Sequence, residues 1–305
     1  MNKKILITGG NGLVGSEMTF GHTSNRRDFD LADYNQIDRY LKKHKFDVVV
    51  HCAARVGGII ANSKYLADFF DDNILINTNV LRACKENGVK KVISFLSTCV
   101  FPQHLSNTIM SENDIHKGEP HDSNYAYAYA KRMLHIQTKA YRDQFGLDYS
   151  CVTPCNIFGR HDNYNLESSH VIPALIKKCY HARKEGKPFV VGGDGTPQRE
   201  FVYAKDISKI VSMMASSDER YPDNMIISPD EVYSISEIAE LICQYMGYDK
   251  SNISYNSSIP NGQLKKSTSN SLFREYFPDF KFASFEEALN YTIDFFTANY
   301  NNLRH

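Results

Sequence analysis

KILITGGNGLVG, Lys4 to Gly15, is the stretch whose reading decides the fold. Its first part, Lys4 to Thr8, is short, apolar and β-branched, as a strand buried on both faces of a parallel sheet must be. Its second part sets Gly9, Gly12 and Gly15 in a G-x-x-G-x-x-G spacing directly behind that strand. Glycines there permit a tight turn, close approach of a pyrophosphate to the backbone, and close helix packing, so the stretch reads as a dinucleotide-binding loop. VVVHCAA (Val48 to Ala54), KVISFLS (Lys91 to Ser97) and YSCVTP (Tyr149 to Pro154) repeat the buried-strand pattern. Between them, Asp72 to Gly88 has helical length and ends on a helix-stopping Gly. A second helix is expected over Tyr125 to Gly146, with Asp122, Ser123 and Asn124 available as caps and Tyr129, Met133, Ile136 and Ala140 marking one face. Strands alternating with helices imply an α/β fold with a Rossmann-type, doubly wound parallel sheet.

Beyond about Gly159 the pattern loosens into polar loops, HDNYNLESS and GGDGTPQ, and a turn-rich segment from Asn252 to Asn270. We expect residues 1–160 to form the dinucleotide-binding domain, which also receives about 196–228, and 161–305 to form a smaller, discontinuous α/β substrate lobe. The 35 basic and 35 acidic side chains cancel, which argues against a broad footprint for nucleic acid and points to a small partner. No apolar run approaches the roughly 18 residues of a membrane helix. Seven cysteines are scattered without metal-type pairing; Cys151 and Cys155 share a strand face without implying ligation, so no metal is expected. With no leader pattern at the start, a reduced, cytoplasmic protein is expected.

Folds specific for NAD place an acid after the second strand. Here the stretch HTSNRRDFD offers Ser24, Asn25, Arg26 and Arg27, which suit a 2′-phosphate and favour NADP(H); the competing reading makes Arg26 and Arg27 a solvated charge pair. Only SEMTFGH separates Gly15 from this loop, so either the first helix is truncated or the second strand is vestigial.

YAYAK, Tyr127 to Lys131, lies near the start of the second long helix, where residues four apart share a face. A tyrosine of pKa about 10 is a poor acid–base group at neutral pH, and a nearby ammonium is expected to draw it toward a useful range. Ser97, at the end of a predicted strand, would polarise the same carbonyl oxygen. On residues alone Cys99 reads more often as buried packing and His170 as a helix cap.

The ordered set TGGNGLVG, AARVGG, STCVFP, YAYAK, TPCNIFGRHDN, SSHVIPAL and GTPQREF resembles extended short-chain dehydrogenases/reductases of the GDP-L-fucose synthase type, from about Lys4 to Phe201, with NGQLKKSTSN continuing it. That family epimerises C3 and C5 of GDP-4-keto-6-deoxy-D-mannose and reduces C4 with NADPH. The resemblance implies that Tyr127 protonates the C4 oxygen, that Lys131 supports it and binds the nicotinamide ribose, and that Ser97 holds the carbonyl. It makes Cys99 and His170 the base and acid of epimerisation. It spreads the NADP(H) contacts over Gly9, Gly10, Asn11, Gly12, Leu13, Val14, Gly15, Arg26, Ala53, Ala54, Leu96, Lys131, Pro154, Asn156, Ile157 and His170. It assigns the GDP-sugar to Asn156, Lys178, Arg199 and Lys266, and it implies a homodimer through the two long helices. Gly192 and Asn261 depart from the family, replacing a bulky aromatic and an acid, which bears on how guanosine or mannose is held.

Three other readings compete. A 4,6-dehydratase would carry Thr-Asp-Glu where this chain has Ser97-Thr98-Cys99. A nucleotide-sugar C4 reductase or epimerase needs no Cys99 and His170 together. An NADPH-sensing module tends to lose Tyr or Lys from the pair, and both are present.

Overall fold

The computed structural model describes residues 3–104, 109–259, 261 and 264–303. In chain order its elements are β1 (Ile5–Thr8), β2 (His22–Ser24), α1 (Tyr34–His44), β3 (Val48–His51), α2 (Ile59–Lys64), α3 (Leu66–Glu86), β4 (Lys91–Phe95), β5 (Ile109–Met110), α4 (Tyr125–Phe145), β6 (Asp148–Pro154), β7 (Asn156–Phe158), α5 (Val171–Glu185), β8 (Phe189–Gly192), β9 (Gln198–Tyr203), α6 (Ala204–Ser216), β10 (Asn224–Ile227), β11 (Val232–Ser234), α7 (Ile235–Met246), β12 (Ile253–Asn256), β13 (Lys265–Thr268), α8 (Ser271–Tyr276) and α9 (Phe285–Asn299).

The main sheet runs β10-β6-β4-β3-β1-β2 and every pair in it is parallel. Its strands are apolar on both faces because both faces are covered. Leu6, Val49, Val92 and Ile226 pack under Ile37 and Leu41 of α1, Val80 and Leu81 of α3, and Leu134 of α4. Ile5, Ile7, Val48, Val50, Ile93 and Met225 pack on Ile207, Val211 and Met214 of α6 and Phe273 of α8. The second half of the chain therefore completes the first sheet, through β10 beside β6. The remaining strands build a sheet ordered β11-β9-β13-β5 with β7 beside β9, and a pair β12-β8, over a core that includes Phe158, Tyr164, Ile176, Phe189, Ile242 and Phe296. Among the described residues no helix is long and apolar enough to cross a membrane.

The short link after Gly15 is resolved in favour of both alternatives. The first helix shrinks to one 3-10 turn, Gly15–Glu17, and β2 has three residues. Val14 and Met18 cover the sheet there, Met18 at 1% exposure. The turn is held from outside: Arg160 gives Nε (3.1 Å) and Nη2 (2.7 Å) to the Glu17 carboxylate, and Ser208 Oγ donates to the Glu17 carbonyl (2.8 Å).

Two helix expectations are corrected. The helix expected from Asp72 begins at Leu66. Asp122–Asn124 form a 3-10 turn ahead of α4, and Asn124 makes no side-chain cap bond. The α4 stripe containing Met133 and Ile136 faces outward, 42% and 45% exposed, while Ala126, Ala130, Leu134 and Thr138 face inward. Small residues occupy the inward stripe because α4 packs closely on both α3 and β6. The C-terminal stop at Gly146 is as expected, at φ 66°.

Candidate active site

The cofactor end starts at Gly9, whose φ of +76° belongs to the left-handed region and whose added Cβ would lie 2.8 Å from Ala53 N. The loop closes on itself through Gly12 N to Gly9 O and is tied to β2 through Gly10 N to Ser24 O, both 2.9 Å. The amides of Leu13 and Val14 are left without a backbone partner among the described residues, as a loop that receives phosphate oxygens requires. Arg26 is exposed and enters no ion pair among the described residues, so its guanidinium is available to a 2′-phosphate. Asn11 flanks the loop at the surface, Ala53 and Ala54 follow β3, and Leu96 and Pro154 end adjacent strands. Leu96 N donates to Val152 O (2.8 Å), which keeps that floor rigid. These residues fit a dinucleotide.

Behind the loop lies a buried relay that sequence reasoning missed. Thr8 Oγ1 bonds His51 Nδ1 (2.9 Å), and His51 Nε2 bonds Asn77 Oδ1 (3.1 Å), joining β1, β3 and α3. Asn77 Oδ1 accepts only, so Nε2 carries the proton and Nδ1 accepts from Thr8. Complete burial, and then the charge of Lys131, push the His51 pKa down to about 3, so this imidazole is neutral. Its only sequence signal is a histidine closing an otherwise apolar strand.

Lys131 is 1% exposed and donates from Nζ to Phe95 O at 2.8 Å, fastening α4 to the end of β4. Burial draws its pKa down to about 8, opposed by the thiols of Cys99, Cys151 and Cys52. Nζ lies 5.9 Å from the centroid of the Tyr127 ring, and Phe69 meets that ring edge-on at 6.3 Å. Burial, with Cys99 as a second cause, pushes the Tyr127 phenol well above its ordinary range. This corrects the expectation that the ammonium lowers it: desolvation of the phenolate outweighs an amine that is turned to the Phe95 carbonyl. The group is accordingly held in its proton-donating form.

Ser97 caps the 3-10 turn Thr98–Val100 at the end of β4, its Oγ accepting from Cys99 N at 3.4 Å. The turn carries Cys99, 8% exposed, against α4, beside Tyr127 and Lys131. Ser97, Cys99, Tyr127 and Lys131 are thus gathered at one strand end.

His170 occupies the N-cap position of α5 without a side-chain cap bond, with Nδ1 3.6 Å from Asp162 Oδ1. Desolvation pushes its pKa down, but the neighbouring Asp162 carboxylate pushes it up by more, and the net direction is upward. Asp162 is buried and takes Asn163 N at 2.7 Å on Oδ1. The loop before His170 is seated on the AARVGG segment: Gly58 N donates to Ser168 O (2.9 Å), and a Cβ on Gly58 would come within 2.7 Å of Ser169 O. That contact is the physical content of the paired glycines.

Asn156 is exposed on β7 and gives Nδ2 to Glu200 O (2.8 Å), while Ile157 packs into the core beneath. Arg199, on β9, donates to Gln198 O (2.7 Å), and burial lowers its pKa. Lys266 stands opposite Arg199 in the β13–β9 register, and its side chain lies outside the described residues. Lys178 is half-buried on α5, about two helix turns beyond His170. Asn261 Oδ1 accepts from Asp194 N (3.1 Å) in the loop after β8, two residues beyond Gly192.

Residues 5–228 match the NAD dependent epimerase/dehydratase family. The chain is 38% identical to a GDP-L-fucose synthase of Dictyostelium discoideum, over 99% of this chain and 98% of that one. It is 38% identical to a probable GDP-L-fucose synthase of Drosophila melanogaster, over 99% of both. Among solved structures, a GDP-L-fucose synthetase from Naegleria fowleri bound to NADP is 35% identical and superposes with a TM-score of 0.89, over 100% of this chain and 95% of that one. With the glycine loop, the Tyr127–Lys131 pair and the strand-end Ser97 in place, the chain belongs to the NAD dependent epimerase/dehydratase family, in its GDP-L-fucose synthase group.

Proposed function

We propose that this chain converts GDP-4-keto-6-deoxy-D-mannose to GDP-L-fucose, epimerising C3 and C5 and then reducing C4. The observation that carries the reading is the convergence of Ser97, Cys99, Tyr127 and Lys131 at the carboxyl end of β4 in a chain that also places His170 on Asp162. NADPH, held by the glycine loop with Arg26 at its 2′-phosphate, supplies the hydride for C4. The chain's own residues do the rest. Protons next to a ketone are acidic when the C4 oxygen is held, and Ser97 Oγ and the Tyr127 hydroxyl hold it. Cys99 removes the proton from carbon and His170, kept protonated by Asp162, returns one to the opposite face. Tyr127 gives its proton to the C4 oxygen as reduction completes, with Lys131 fixing the ribose beside it. Arg199 and Lys178 take the diphosphate, with Lys266 opposite Arg199 in the sheet and Asn156 on the sugar.

We divide the molecule into a cofactor domain over 1–160 with 196–228, and a substrate lobe in the rest, and we place it in the cytoplasm, where its seven unbridged cysteines are stable. We also infer a homodimer. Phe70 and Leu75 of α3 and Met133 and Ile136 of α4 are 37%, 49%, 42% and 45% exposed, and a second copy would cover them.

Incubation with GDP-4-keto-6-deoxy-D-mannose and NADPH, followed by product NMR, tests the function. Inversion at C3 and C5 with one NADPH consumed per sugar is expected; reduction without inversion overturns the epimerising half. Cys99→Ser is expected to stop solvent deuterium entering C3 and C5.

A further inference from the structure

Arg132 follows Lys131 on α4 and is 4% exposed. Nε donates to Val100 O and Nη1 to Gly118 O, each at 2.7 Å, while Nη2 has no hydrogen-bond partner among the described residues. Its Cζ lies 5.4 Å from the centroid of the Tyr129 ring. Burial lowers its pKa, and the two groups that oppose this by their charge are Tyr129 and Cys99, with no carboxylate among them. A buried cation that lacks a carboxylate is costly, and that cost falls when a neighbouring group ionises. Of the two neighbours, a thiol ionises at lower pH than a phenol, with ordinary values of about 8.5 and about 10.

Among the described residues, titratable groups set around Cys99 include Tyr127, Lys131 and Arg132, all from α4. On the far side of Arg132 lies His116, stacked on His135. Lys131 is committed to Phe95 O, and burial draws its pKa down to about 8. A guanidinium keeps its charge throughout the working range. Val100 follows Cys99 in the 3-10 turn, so the bond to its carbonyl also fixes the turn that carries the thiol.

We propose that Arg132 is the positioning residue of the epimerising half: it supplies the buried positive charge that balances the Cys99 thiolate and, through Val100, aims it. This rests on the assignment of Cys99 as the base. The thiolate takes a proton from carbon, the S–H bond forms as the C–H bond breaks, and the electron pair passes to the C4 oxygen as an enolate. Arg132 touches none of the reacting atoms.

The test is the pH dependence of Cys99 alkylation by iodoacetamide, followed at the Cys99 peptide by mass spectrometry in the intact protein. Burial without a counter-charge would drive the midpoint above the ordinary thiol value. We expect the wild-type midpoint at or below about 8.5. Arg132→Gln raises it by about one unit or more, a tenfold loss of thiolate at neutral pH, and Arg132→Lys, which keeps the charge, by less than about half of that. A purely structural role would change the alkylation rate at every pH and leave the midpoint alone. A wild-type midpoint clearly above the ordinary value, or an unchanged one in Arg132→Gln, overturns the proposal; should that variant fail to fold, the wild-type midpoint and Arg132→Lys decide. Solvent exchange at C3 and C5 separates this from failure of the Cys99 assignment, since exchange surviving in Cys99→Ala refutes the base and leaves the alkylation midpoints still reporting on Arg132.

Discussion

Asp162 places Oδ1 3.6 Å from Nδ1 of His170, and its Oδ2 is buried with no hydrogen-bond partner among the described residues. The carboxylate therefore has one strong way to stabilise its charge on that side, which is to keep the imidazole protonated. His170 holds its pKa above the ordinary value for this reason, although desolvation works against it. An acid whose pKa is raised stays competent to higher pH, and its proton is lost as pH rises through the raised value. Asp162→Asn is expected to move the alkaline limb of solvent exchange at C3 and C5 to lower pH, with the cofactor affinity unchanged. Superimposable pH profiles for the two proteins would show that Asp162 does not tune His170.

Tyr127 tests the group assigned to hold and protonate the C4 oxygen. Its hydroxyl is the only atom lost in Tyr127→Phe, and the ring keeps its contact with Phe69 and its place over Lys131. General acid catalysis contributes roughly 10²–10⁴-fold, so NADPH oxidation by the keto sugar should fall by about that factor. NADPH binding, measured by fluorescence titration, should change little. Turnover within tenfold of the wild type would remove Tyr127 from the role.

Much of this site was legible because chemistry and local pattern coincide in it. KILIT, KVISF and the Tyr125–Gly146 helix declare themselves by apolar runs and by a glycine stop, and they carry the glycine loop, Ser97 and the Tyr127–Lys131 pair. What stayed hidden depends on pairing across long separations. Nothing near Asp162 announces that it meets His170, nothing in VVVH shows that His51 joins Thr8 to Asn77, and β13 exists only because it pairs with β9 and β5. The inward face of α4 is hidden for a related reason: two stripes of the helix are apolar, and close packing on α3 selects the one with smaller residues.

Arg26 tests the choice of cofactor. It stands exposed after β2, where an acid would favour the unphosphorylated ribose, and Asn25 shapes the turn by accepting from Arg27 N at 2.9 Å. A hydrogen bond to a charged group is worth about 1.5–3 kcal/mol, so Arg26→Ser should raise KM for NADPH by roughly ten- to hundredfold and leave KM for NADH nearly as it was. Equal losses with both cofactors would mean that Arg26 does not read the 2′-phosphate.

The one-turn helix after the glycine loop poses the last question, because a full helix there would ordinarily bind the loop to the body by packing. Here the equivalent hold is polar: the Glu17 side chain is 3% exposed, and Arg160, 26% exposed, grips it with two bonds from the loop after β7. Removing one member of a buried pair strands the other, and partial exposure of Arg160 softens that penalty. Glu17→Gln should therefore cost about 2–3 kcal/mol and lower Tm by several degrees. Because Glu17 ends the turn that begins at Gly15, the same change should weaken NADPH binding, whereas a cavity in the distant lobe, such as Ile242→Ala, should lower Tm without that effect. Calorimetry with a parallel NADPH titration of both variants distinguishes them. An unaltered NADPH affinity in a destabilised Glu17→Gln protein would show that the glycine loop holds its shape without this ion pair.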